Sequence, residues 1–600
     1  MTTPRLRLAA LLLLAPLASI ACDAEPPAAP PQPPPPAATA APASTGPGSI
    51  DLAAMDKSVR PGVDFFMYAN GAWYANARIA PDRTYTGVDL RIQEEVELRT
   101  RSLLEDAAKA SAAADTSTQR IGDYYASSLD EARIESLGIA PLKPTLDKIA
   151  QLKTAKDLAA YFGAELRADV DVLNSTNLHT DRILGLWVEQ DLNDSSKNAP
   201  YLLQGGVGLP DRSYYLEDGP RTKAQREAYL RHLAAMLKLA GVADADKKAA
   251  RVVDLETQIA KTHANRVDTE DVSKGNNPWS RADFDKKAPG MDWAAFFGAA
   301  GLAKQGGYIV WQPSAVTGLA KLVKTVKMDV WRDYLVARAI DRAAPVLPKA
   351  FVDESFAFYG KTLNGAEELA PRWRRAADAT TDALGDALGH AYVDKYFPPE
   401  TKKACEVMVQ NLVVAMGRRI DALAWMAPAT KAKAKEKLAT LKVGVGYPDT
   451  WRDDTGLVVK RGDAFGNLQR AELFEYQRNV AKLGKPVDRG EWAMVAHVVN
   501  AVNLPVRNAL NFPAAILSPP FFDPKATAAA NYGSIGATIG HEISHSFDDQ
   551  GAKFDAKGQF VNWWTPEDLA HFEASGAALA AQFSTYKPFP DMSVDGKLTL

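Results

Sequence analysis

Six hundred residues carrying 70 Lys and Arg against 73 Asp and Glu have a net charge of -3, which excludes the basic field of a general nucleic-acid binder. With 46% hydrophobic and 24% charged residues the chain can bury sizeable cores, and it is too long for one core of about 250–300 residues, so two or more domains are expected. Two cysteines exclude a disulfide-dense scaffold and a Cys-rich zinc module.

At the N-terminus, Arg5 and Arg7 precede an apolar run from Leu8 to Ile20 that leaves through Ser19 and Ala21. A basic end, an apolar centre and a small-residue exit predict an export signal over 1–21. The run is too short to cross a bilayer core of about 30 Å as a permanent helix. Ser19-Ile20-Ala21-Cys22 resembles a bacterial lipoprotein cleavage box, with Ser19 standing where that box prefers Leu. Lipid on Cys22 is the expectation and ordinary secretion the alternative, which places the protein in the bacterial envelope or periplasm, or outside the cell. A lipid anchor is the only membrane contact expected. With Cys22 so used, Cys405 is expected as a buried, unreactive thiol. Residues 22–49, rich in Pro and Ala with Pro33 to Pro36 in one run, read as an extended spacer.

From about residue 50 the pattern is globular. Ile92, Val96, Leu103 and Leu104 recur at helical spacing, with Glu94, Glu95, Arg99 and Arg101 opposite. Further helical patterns cover 222–262, 329–345, 372–396, 401–424 and 429–442. Apolar runs at Ile183 to Glu189 and Val495 to Leu517 read as strands. The expected class is mainly α with a small mixed β-sheet. Gly205, Gly206 and Gly208 lead into Leu209-Pro210 rather than a strand-to-helix phosphate loop, so they read as a turn. Lys431, Lys433, Lys435 and Lys437 read as the solvated face of a helix. His179, His232, His263, His390 and His571 stand alone and are expected to serve surface or core hydrogen bonding.

His541-Glu542-Ile543-Ser544-His545 is the chemical motif. Ile535, Ile539, Ile543 and Phe547 form a buried helical stripe, with Gly551 expected to end the helix. His541 and His545 fall one turn apart on another face, the spacing at which two imidazoles ligate one zinc ion. A catalytic zinc takes three protein ligands and keeps a fourth position for water. Glu542 lies about 100° round the helix, placed to act on that water as general base and then to protonate the leaving amine. Asp548 or Asp549 is positioned to accept the outer N–H of a ligating ring.

Upstream, Asn500-Ala501-Val502-Asn503 opens an extended segment. Such a segment can take a peptide substrate as an added strand, with Asn500 holding the peptide backbone through its amide and Ala501 through its carbonyl. It can equally be an ordinary edge strand whose Asn closes a turn.

The stretch HEISHSFDDQGAKFDAKGQFVNWW, His541 to Trp564, resembles the zinc-helix signature of the neprilysin and endothelin-converting-enzyme family of zinc metallopeptidases. VNAVNLPVRN followed by FPAAILSPPFF resembles that family's substrate-strand block, and Met55 to Trp73, Gly206 to Leu216, Trp425-Met426 and Gly446 to Asp453 are similar as well. The resemblance spans roughly 50–600. It implies one zinc ion per chain held by His541 and His545, Glu542 as base, Asn500 and Ala501 as substrate contacts, and peptides as substrates. It implies two largely helical domains enclosing a cavity: a lid over 50–440, whose first part can pack on the other domain, and a thermolysin-like catalytic domain over 441–600. The family has Tyr where Asn503 stands, which puts subsite preference in question. Its third zinc ligand, a Glu in a Glu-x-x-x-Asp pattern, falls about sixty residues past the second His, so it is expected beyond Leu600 in a longer natural protein. Glu567 is the in-chain substitute, but Thr565-Pro566-Glu567-Asp568 reads as a helix start. The expected function is an exported zinc endopeptidase or oligopeptidase; the runner-up, should no third ligand exist, is a non-catalytic peptide-binding envelope lipoprotein. Oligomeric state is not readable from these residues.

Overall fold

The computed structural model describes residues 51–600 apart from Ser175 and Asp591. The expected signal and the whole of the 22–49 spacer, Cys22 included, lie outside the described residues. Helices dominate, and two small sheets each sit in their own apolar surroundings.

Helix α1 (Val88–Lys109) buries Leu90, Ile92, Val96 and Leu104 on one stripe, as its periodicity predicts. It packs with α2 (Ser117–Leu129). The first sheet follows: β1 (Leu184–Gln190) pairs antiparallel with β2 (Asn198–Gln204). The single helix expected over 222–262 is two, α3 (Pro220–Leu239) and α4 (Ala245–Ala260). Gly241 at φ 71° and Asp244 at φ 56° take left-handed backbone that no continuous right-handed helix admits. β3 (Pro278–Ser280) and β4 (Gly307–Val310) complete the sheet in the order β1-β2-β4-β3. Around it, Phe162, Trp293, Phe296, Phe297 and Trp331 form a dense aromatic core with α5 (Met328–Ala343) and α6 (Lys349–Ser355).

Helix α7 (Arg372–Tyr396) runs from this body toward the second one and bends at Leu384, whose φ/ψ of -135°/27° are not helical. Its Leu384 and Leu388 pack with Leu104, Ile121 and Tyr125 of α1 and α2, and its Tyr392 with Ala515. Helices α8 (Pro399–Ala422) and α9 (Pro428–Ala439) lend Cys405, Met408, Ala434 and Leu438 to the second core. The Cys405 thiol is buried there and pushed up to about 12 by that burial.

After β5 (Lys442–Gly446) and α10 (Ala464–Val480), β6 (Val502–Leu504) and β7 (Ala509–Pro513) form the second sheet, ordered β5-β7-β6. β5 runs parallel to β7, and β6 runs antiparallel to it with Asn503 opposite Leu510. The apolar run expected to be strand over 495–517 is regular only here. Pro505 opens a tight turn and Asn508 reverses the chain at φ 44°. Helices α11 (Ile535–His545) and α12 (Pro566–Phe583) close the second body.

The two bodies meet at a polar seam. Glu189 of β1 accepts from Nε of Arg507 at 2.8 Å, and its second oxygen lies 2.5 Å from Nη2, both side chains being buried. Gln190 Nε2 donates to the Gly558 carbonyl at 2.9 Å, and Phe560 N–H donates to Leu192 at 3.0 Å.

Candidate active site

The motif helix is held by its apolar stripe. Ile535, Ile539 and Ile543 are all but fully buried beside Leu510, Phe512 and Ile516, each contributing roughly 1.5–3 kcal/mol. The helix ends at His545 rather than near Gly551, and Phe547 lies beyond it at the core margin. Gly551 is needed for a different reason: a Cβ there would stand 1.8 Å from the His545 carbonyl oxygen. The chain folds back onto the helix end at that point.

His541 and His545 bring their Nε2 atoms to 2.9 Å of each other. The other ring nitrogen of His545, Nδ1, lies 2.6 Å from Asp548 Oδ2, while Asp548 Oδ1 accepts the backbone N–H groups of Gln550 and Gly551 at 3.0 and 2.6 Å. Burial works against a charged His545 ring, yet Asp548 overrides it and holds the pKa above the usual value; burial and the neighbouring His545 push His541 down. Asp549 takes no part in this contact and accepts from Gln550. Glu542, next to His541 in sequence, is buried, and burial pushes its carboxyl up to about 7 despite the pull of His545.

Asn500 and Ala501 immediately precede β6, the edge strand of the second sheet. Asn500 Oδ1 accepts from Ala501 N–H at 2.9 Å, and Ala501 is buried. Asn503 does not face outward as a pocket wall. It is buried behind the helix, and its Nδ2 donates at 2.8 Å to both the Glu542 carbonyl and Ser546 Oγ. A polar residue at the buried face of an otherwise apolar strand is the sequence signal that marks such a tie.

Lys437 departs from the expected solvated face. Lys431, Lys433 and Lys435 reach Asp421 or Glu436, whereas Lys437 is buried and its Nζ donates to the Gly551 and Phe554 carbonyls at 2.7 Å each. Burial pushes its amine down to about 7, and a neutral amine has two hydrogens for these two acceptors. Alternate residues on a helix step by about 200°, so four of them never share a face. Trp564 Nε1 to Ala552 and Trp563 Nε1 to Phe554, at 3.0 and 3.1 Å, pin the same loop. The signature beyond His545 is thus the scaffold of the turn that carries Asp548. Glu567 is exposed in the first turn of α12, where Thr565 caps the helix by accepting from Asp568 N–H.

The isolated histidines do as expected: His232 sits between Glu354 and Asp341, and His263 contacts the Gly205 carbonyl.

Two imidazole nitrogens facing each other, one ring fixed from behind by a carboxylate, fit a zinc ion. Zn–N bonds of about 2.0–2.1 Å ask the nitrogens to spread by only a few tenths of an ångström. Among the described residues no group of three or more His, Cys, Asp and Glu could hold a metal ion, so the pair supplies part of a coordination shell.

Comparison with known proteins places these features in company. Two models of peptidase family M13 match the chain, over residues 61–448 and 500–600. The endothelin-converting enzyme homolog of Locusta migratoria is 28% identical over 92% of this chain and 77% of its own length; endothelin-converting enzyme 1 of Homo sapiens is 25% identical over 92% and 72%. Among solved structures, the zinc metalloprotease ZMP1 of Mycobacterium tuberculosis in complex with an inhibitor superposes with a TM-score of 0.87 at 39% identity, covering 92% of this chain and 84% of that one. PepO of Lactobacillus rhamnosis gives 0.79 at 27%, covering 90% and 84%.

Proposed function

The chain belongs to peptidase family M13 and is a zinc metalloendopeptidase of two domains acting on peptides, and from that premise we propose the following roles for its residues. His541 and His545 hold one zinc ion, and among the described residues no third His, Cys, Asp or Glu completes a group with them. Bound there, zinc supplies Lewis acidity that polarises the scissile carbonyl.

Glu542, on the same helix as the two rings, takes a proton from the attacking water and returns it to the leaving amine. Its burial suits this, because a base serves best with a pKa near the working pH. Asp548 keeps the His545 ring in the tautomer that leaves Nε2 free for the metal. The open edge of β6, with Asn500 and Ala501 at its start, aligns an extended peptide. The lid comprises residues 50–440 and the catalytic part begins at 441, with α8 and α9 lending apolar faces to it.

Export by the 1–21 segment, the 22–49 spacer and a lipid on Cys22 rest on the sequence alone. No helix among the described residues is long and apolar enough to cross a membrane.

The observation that carries the reading is the 2.9 Å approach of the two Nε2 atoms on one helix that also buries Glu542. Zinc content and peptide cleavage, measured before and after a chelator on the full-length natural protein, test it. Zinc present and cleavage abolished by chelation is the expected result. Cleavage indifferent to the chelator overturns it, and bound zinc with peptide binding but no cleavage favours the non-catalytic binding protein.

A further inference from the structure

The support behind the His545 ring ends at a side chain that the first body grips. Asp548, which contacts His545 Nδ1, is itself held by the backbone N–H groups of Gln550 and Gly551. Those donors belong to a stretch, 548–554, whose only regular element is the tight turn Gly551–Lys553. A stretch of that kind keeps its shape through what it touches.

Gln550 makes much of that contact. Its Oε1 accepts from Val272 N–H at 3.2 Å and from Lys553 Nζ at 3.1 Å, and its Nε2 donates to Asp549 Oδ2. Lys553 in turn pairs with Asp271 at 2.9 Å, both side chains being mostly buried. Asp271 and Val272 belong to the first body, and Val272 precedes Gln550 by 278 residues.

That piece of the first body is firmly seated. Val272 is fully buried with Trp187, Tyr201 and Trp311, in an apolar cluster that also receives Val506 and Phe554 of the second body. Asp271 caps the turn Val272–Gly275 by accepting from Ser273 N–H at 3.0 Å. Trp311, next to β4, donates from Nε1 to the Thr269 carbonyl at 2.7 Å, and a Cβ on Gly275 would stand 2.3 Å from its ring. The start of a helical turn leaves N–H groups without an internal acceptor, and Gln550 answers the one on Val272. Contact therefore runs from the first sheet through Trp311, the 269–275 segment, Gln550 and Asp548 to the His545 ring.

We propose that Gln550 is a positioning residue for the zinc site, through which Asp271 and Val272 of the lid set how firmly Asp548 holds the His545 ring. The proposal rests on the zinc reading above for the identity of the ion. Gln550 acts through Asp548: its own N–H and that of Gly551 aim the carboxylate, and the carboxylate fixes the imidazole in one tautomer. Cutting the tie to Val272 lets the turn move and the carboxylate swing away. The motif helix carries both rings, and the lid keeps one of them aimed.

The test titrates zinc into metal-free, full-length protein in competition with a chelating dye. Gln550→Ala keeps the backbone donors, removes the amide contacts, and is expected to weaken zinc about three- to tenfold. Asp271→Asn keeps a cap for Ser273 while discharging the pair with Lys553, and is expected to weaken zinc about two- to threefold. Because Gln550 works through Asp548, Gln550→Ala in an Asp548→Asn background is expected to add less than about twofold. Full additivity of the two losses gives Gln550 a route of its own and overturns the proposal. A lowered thermal midpoint with zinc affinity unchanged marks a structural residue only, and overturns it too. Zinc affinity unmoved by Asp271→Asn takes the lid out of the chain of contacts and overturns the coupling.

Nitrogen-15 NMR of histidine-labelled, metal-free protein in mildly alkaline buffer reads the ring without the ion. His545 is expected to hold one tautomer, protonated at Nδ1, and Gln550→Ala to mix the two. If the full-length protein takes up no zinc, the peptidase reading falls, and this signal still decides whether Gln550 holds the ring. An unmixed tautomer in Gln550→Ala overturns the proposal. Should Gln550→Ala fold poorly, Asp271→Asn carries both measurements, with the smaller expected loss.

Discussion

Five consecutive residues, His541 to His545, contribute both imidazoles and the carboxylate of the proposed catalytic centre, whereas a cavity of about 420 Å³ takes its wall from segments scattered between Tyr124 and Glu475. The first is geometry that a helix enforces by itself: once Ile535, Ile539 and Ile543 are buried, the facing of the other side chains follows from 3.6 residues per turn. The second exists only after distant helices have packed, so each charged residue there is placed by partners elsewhere in the chain. Substitutions in the helix are therefore expected to remove chemistry and spare the fold. Those in the assembled regions are expected to act on stability or on the reach of the substrate.

The sharpest test of that contrast is Glu542→Gln. It should lower kcat by about 10²–10⁴-fold with zinc content and thermal midpoint unchanged, since only the proton carrier is lost. Turnover within a few-fold of the unaltered protein would remove the assigned base. On the other side, Glu189→Gln breaks a buried, bidentate ion pair at the seam, leaving Arg507 with Glu491 alone. A loss of about 3 kcal/mol in denaturant unfolding is expected, with kcat for a short peptide little altered. A large kcat effect without destabilisation would erase the distinction between the two regions.

Asp548→Asn comes next, with zinc affinity about 10–100-fold weaker in a competition titration with a chelating dye, because the His545 ring loses its fixed tautomer.

The effect smallest at any one step of pH concerns Lys437, and it is read as a slope. Its amine is pushed down to about 7 by burial, against an ordinary value near 10.5. Between those values the unfolded chain binds a proton that the folded chain does not. Stability from this group is therefore greatest above about pH 10, falls as pH drops toward 7, and levels off below. The difference in unfolding free energy between the unaltered protein and Lys437→Met should rise by up to about 1.4 kcal/mol per pH unit from pH 7 to 10. A flat difference would mean that Lys437 stays charged in its pocket.

Legibility in the sequence followed the same divide. The apolar stripes of α1 and α11 and the spacing of the histidines are local, and the structure places them where periodicity puts them. The helix expected over 222–262 broke at Gly241 and Asp244 because left-handed backbone is a tertiary outcome that the flanking apolar period masks. At Asn503 the sequence shows only that the family's Tyr is replaced, which leaves subsite preference in question. Its partners, the Glu542 carbonyl and Ser546, are about forty residues away and could not be inferred from spacing. Lys437 carried a legible warning, since alternate lysines cannot share one helical face, but its carbonyl acceptors come from a loop over a hundred residues on. The tie from Val272 to Gln550 was the least visible, because it joins residues 278 positions apart through one backbone N–H, which no side-chain pattern records.

The Asn503 amide hooks strand β6 and helix α11 into one rigid part. The rail on which a peptide would be threaded and the proton carrier cannot slide past each other by a residue without breaking two buried hydrogen bonds at once.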